Sequence, residues 1–127
     1  MSRMKTILQA GLATLLLPSA LTAGTSDLVR QFASCTGRFS AQMEFQWLLG
    51  DPAADRTQAE RAAMISLLEA VVPPEDRRLA LATRIEAKHA QNVLLTRAHF
   101  NADSADAAWA TERAAVEIGS CRALILS

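Results

Sequence analysis

Apolar residues recur along most of this chain at steps of three and four, the period of an amphipathic helix and not of a strand. Leu28, Phe32, Cys35, Phe39 and Met43 form the first such stripe. Gly50 follows it as a natural helix stop, so a helix is predicted from Ser26 or Asp27 to Leu49. Asp51-Pro52 or Asp55 opens a second helix, with Ala62, Ile65, Leu68 and Val72 as its stripe, and Pro73-Pro74 ends it. A third starts at Pro74, with Glu75 and Asp76 at its positive end, and runs to about Phe100. Its expected buried side is Leu79, Ala82, Ile85, Ala90, Val93, Leu94 and Phe100, with some drift around the axis. Asp103 or Ser104 caps a fourth helix, whose stripe is Ala107, Ala114, Ile118, Cys121 and Ile125.

No alternating strand pattern occurs, and no internal repeat. Short connections between four helices imply antiparallel neighbours, so the expected fold is all-α, an up-down-up-down four-helix bundle. Helices 1 and 4 are then adjacent and opposed. At 1.5 Å per residue, Cys35 sits about 12 Å from one end and Cys121 about 8 Å from the matching end. The heights nearly agree, and a disulfide joining helices 1 and 4 is predicted.

Composition places the bundle. Arg3 and Lys5 precede an apolar run from Ile7 to Leu17, then Pro18 and Ser19, then Ala20-Leu21-Thr22-Ala23. That tripartite pattern is an export signal with cleavage after Ala23, leaving residues 24–127 as the four-helix domain. Phe32-Ala33-Ser34-Cys35 loosely matches a lipidation box, but Asp27 and Arg30 interrupt the apolar flank that such a signal needs. Export to the periplasm or outside the cell gives an oxidising setting in which the two cysteines pair. Without Arg3 and Lys5 the chain has 11 basic and 13 acidic residues. No basic patch is dense enough for nucleic acid, and no membrane span is expected once the signal is gone.

Candidate chemistry is sparse. Glu86-Ala87-Lys88-His89 has the Glu-x-x-His spacing of carboxylate-bridged metal bundles, but only once, and His99 does not share a face with His89. Glu86, His89 and His99 are therefore the candidates for an alternative metal- or haem-binding reading, with Met43 or Met64 as haem partners. No C-x-x-C-H, nucleophile elbow or phosphate loop is present, so no cofactor and no catalytic residue is assigned. Arg77, Arg84 and Lys88 line one side of helix 3 and read as a solvated face. Ala33, Gly37 and Ala41, four apart, suggest a close helix crossing near the disulfide. Phe45, Trp47 and Leu48 crowd the end of helix 1 and do not all fit one core face. They are the expected partner surface of a noncatalytic exported bundle that binds a protein or serves the cell envelope.

Overall fold

A computed structural model describes residues 20–126, with side chains from Gly24 onward, together with Gly11 and Ala13. The predicted leader lies almost wholly outside the described residues. Four α-helices follow one another: α1 (Ala20–Leu48), α2 (Ala54–Val71), α3 (Arg77–His99) and α4 (Ser104–Leu126). A single 3-10 turn, Pro74–Asp76, leads into α3. Helix α1 starts upstream of the expected caps Ser26 and Asp27. Among the described residues no helix is long and apolar enough to cross a membrane.

The chain reverses where backbone chemistry requires it. Gly50 takes φ +66, the left-handed conformation that costs glycine little. Its N–H donates to the Trp47 carbonyl (3.1 Å) and the Asp51 N–H to that of Gln46 (2.9 Å), closing α1 in a Schellman motif. The Asp51 carboxylate then accepts from the Ala53 N–H at 2.9 Å and holds the entry to α2. Val72, ahead of two prolines, is extended and stops α2. Asp103 caps α4, its carboxylate accepting from the Ala105 and Asp106 N–H groups at 3.1 and 3.2 Å.

The directions alternate up-down-up-down. Ser40 meets Arg61, and Val29 shares a cluster with Leu68, so α2 is antiparallel to α1. Arg97 meets Asp106 and Gln91 meets Ala114, so α4 is antiparallel to α3. Helices α1 and α3 run parallel: Gly37 abuts Arg84, Glu44 meets Lys88, and Phe45 packs on Leu95 and His99. Their contact is the most extensive in the bundle, whereas α2 and α3 scarcely meet. Helices α1 and α3 thus lie side by side, with α2 against α1 and α4 against α3, and α2 and α4 meet through Glu60 and Arg122 at 2.7 Å.

Gly37 sets the closeness of α1 and α3. A Cβ there would fall far inside contact distance of the Arg84 carbonyl oxygen and 2.9 Å from the Lys88 nitrogen. Backbone meets backbone, so the facing side of α3 has to be small. Its buried residues are Ala80, Ala87, Gln91 and Leu95. This corrects the expected stripe: Leu79, Ala82, Ile85, Ala90, Val93 and Phe100 are all exposed, since the crossing turns Ala80 and Ala87 inward and leaves the other faces of α3 outside. On α2 the inward positions are Ala54, Thr57, Met64 and Leu68, and Ala62 faces out. The expected stripe of α4 is closer, with Ala114, Ile118 and Cys121 buried beside Ala110.

Cys35 and Cys121 form the disulfide between α1 and α4, Cα–Cα 5.4 Å. It lies within the main core cluster around Phe32, Phe39, Met64, Leu68 and Ile118. Gln91, fully buried, is satisfied by groups on two other helices, α1 and α4. Arg38 donates to its Oε1 (2.9 Å), and its Nε2 donates to Gln42 Oε1 and the Ala114 carbonyl (both 3.3 Å). Arg38 also pairs with Glu117 at 3.5 Å, which balances its charge.

Candidate functional site

The end of the bundle formed by the C-termini of α1 and α3 carries the predicted aromatic crowd, and the structure divides it. Phe45 is buried at 6% exposure against Leu95, Ala114 and the partly buried Leu94, so it is core and not surface. Its ring lies 4.8 Å from that of His99 and 6.0 Å from that of Phe100. Leu48 and Leu49, three and four residues beyond Phe45, share its side of the helix. The Leu49 N–H still donates to the Phe45 carbonyl at 3.1 Å, so the helical path holds there. Beyond the last ring of core partners these leucines stand in solvent: Leu48 is 69% and Phe100 66% exposed. Trp47 is 51% exposed on the neighbouring face. Leu49 and Phe100 have no place in the expected surface, Phe100 because it was assigned to the core of the third helix. Its position as the residue after α3, where the helical stripe no longer applies, is the signal that identifies it.

The same end carries an ordered polar rim. Arg97 grips Asp106 through two nitrogens (2.5 and 3.2 Å), and Asn101 donates to the same carboxylate at 2.6 Å. The Arg97 hydrogen bond holds the Asp106 carboxyl below its ordinary range, and Asp106 in turn raises the Arg97 guanidinium. The guanidinium also lies over the Trp109 ring, 5.1 Å from its centroid. The α3–α4 turn and the helix ends on either side of it are therefore held together by this rim.

The metal candidates are not gathered. Glu86 lines a cleft of about 670 Å³ between α1, α3 and α4, floored by the disulfide. His89 is exposed on the next turn. His99 donates from Nδ1 to the Leu95 carbonyl (3.0 Å) and stacks near Phe45 at the far end of α3. Met43 and Met64 are both buried in the core. Among the described residues no three His, Cys, Asp or Glu side chains converge as a ligand set. Lys88, expected on a solvated face, ion-pairs with Glu44 at 2.8 Å.

Comparison with protein-family models, characterised proteins and solved structures finds no match to this chain.

Proposed function

We propose that the protein is a small exported, noncatalytic helical bundle that binds a protein partner through the bundle end formed by Trp47, Leu48, Leu49 and Phe100. One observation carries the reading: four large apolar side chains are exposed at the bundle end where α1 and α3 terminate. Large exposed apolar patches on monomers mark interaction sites, and aromatic anchors are favoured at protein contacts. The fixed polar rim around Asp106 supports it, since a pre-organised surface loses little entropy on binding. Export accords with the disulfide, which persists in oxidising compartments. No observation favours a metal or haem site over this reading.

The test is a photo-crosslinking amino acid placed at Leu48 in cells that make the protein. A discrete adduct with one other protein is expected there, and none from Gln58 on the exposed side of α2. Adducts at neither position, or the same adducts at both, remove the basis for the proposal.

A further inference from the structure

Helices α2 and α3 flank α1 without packing on each other, and a groove runs between them. Its walls are Leu68 on α2 with Val72 just past its end, and Leu81 and Ile85 on α3. Two connected hollows of about 510 and 200 Å³ share Leu81 and Arg84, so the groove is continuous over several turns. Gly37 and Ser40 of α1 form its floor at the narrower end. Leu81 and Ile85 are 55% and 62% exposed, one turn apart on the same side of α3. They are outward because the α1–α3 crossing admits only small side chains inward.

The groove's charge has one dominant sign. Arg61, Arg77, Arg84 and Lys88 line it, against Glu44 and Glu69. Glu44 is taken up by Lys88. Arg77 and Arg84 make no ion pair among the described residues. The chain as a whole is formally neutral, so this is a local concentration of positive charge. Arg77, Arg84 and Lys88 follow at seven and four residues on one side of α3, the spacing of successive turns. Carboxylates at the same spacing on a second helix would face them in register. A helix is about 10 Å across with its side chains, the scale of a gap between two helices spread around a third.

We infer that the α2–α3 groove is a docking site for an acidic amphipathic helix of a partner protein, its apolar stripe on Leu81, Ile85, Leu68 and Val72 and its carboxylates on Arg77 and Arg84. This is the helix-in-groove mode, with apolar burial providing affinity and the arginines orientation and choice of partner. It stands apart from the bundle end, and variants of the groove leave Leu48 and Phe100 untouched, so either assignment can fail alone.

The experiment uses two fluorescein-labelled peptides of about 18 residues, long enough for five helical turns. They share one leucine stripe and differ only in glutamate or lysine on the flanks. Binding to the oxidised protein is followed by anisotropy. The glutamate peptide should bind at least about tenfold more tightly than the lysine peptide, and the margin should shrink at about 0.5 M salt. Arg77→Glu with Arg84→Glu should reverse the preference, and Ile85→Asp should weaken both peptides. Circular dichroism checks each fold, and if the double variant does not fold, Arg77→Glu alone, at an exposed position, should still cut the preference. Equal binding of the two peptides, or a preference unmoved by the arginine reversals, overturns the inference. So does saturable binding of dodecanoate with no binding of the glutamate peptide, which would make the groove a lipid site.

Discussion

Replacing Gly37 with alanine tests the α1–α3 crossing, on which the shape of the bundle depends. Taken as a helix substitution alone, Gly→Ala should stabilise by about 1 kcal/mol. Here the added Cβ would collide with the Arg84 carbonyl and crowd the Lys88 nitrogen. Both are backbone atoms of α3, so no rotamer change relieves the overlap, and the helices have to separate by about 1 Å. A gap of that size forfeits a quarter to a half of each dispersion contact across it. With a few dozen carbon pairs at about 0.15 kcal/mol each, the loss is about 2 kcal/mol. Overpacking strain adds about 1–3 kcal/mol more. The net expectation is destabilisation by about 2–4 kcal/mol, after the helix-propensity gain is subtracted. Gly119 is the internal control: it lies in α4 with nothing within 4 Å of an added Cβ. Gly119→Ala should stabilise by up to about 1 kcal/mol. Urea unfolding of the oxidised protein reads both as shifts of the midpoint in opposite directions. If Gly37→Ala is as stable as the parent, or more so, the close crossing is wrong, and with it the reason for the outward face of α3.

Reducing the disulfide should cost about 4–5 kcal/mol on the chain-entropy account of a closed loop spanning 86 residues; denatured, unreduced protein should show no free thiol, and two thiols would refute the pairing. Gln91→Ala should cost about 2–3 kcal/mol in urea unfolding, because Arg38 loses one partner while Gln42 and the Ala114 carbonyl lose a donor. Asp106 has a folded-state pKa below its unfolded value through the Arg97 hydrogen bond. Its contribution to stability is complete above about pH 3.9, the unfolded value, and is lost as pH falls through the folded one. Asp106→Asn should therefore flatten the acid limb of a stability-versus-pH curve, and an unchanged limb would show that the pair is not coupled to folding.

Much of the architecture was legible in the sequence because its signals are local. Gly50, Asp51, the Pro73-Pro74 pair and Asp103 each act within a few residues, and all four mark the turns as expected. The two cysteines could be paired by arithmetic on helix rise, since each lies on a clear apolar stripe. The phase of α3 was not legible. Its inward side is chosen by the closeness of α1, a tertiary fact that overrides apolar periodicity: Ala80 and Ala87 fit beside Gly37, and Ile85 does not. Gln91 was passed over for the same reason, because its burial depends on Arg38, Gln42 and Ala114 from two other helices. At the bundle end the sequence showed excess apolar residues but not their allocation. Phe45 is packed inside beside Leu95 and Ala114, and Phe100, the residue after α3, stands outside.

The bundle end of Trp47–Leu49 and Phe100 is proposed to bind a protein and not to serve the fold. Leu48→Asp with Phe100→Asp, tested for stability and for crosslinking from Trp47 in the same cells, addresses it most directly. Both residues are exposed, so stability should stay within about 0.5 kcal/mol of the parent while the Trp47 adduct disappears. An adduct that survives both substitutions, or a bundle that unfolds because of them, would contradict the claim.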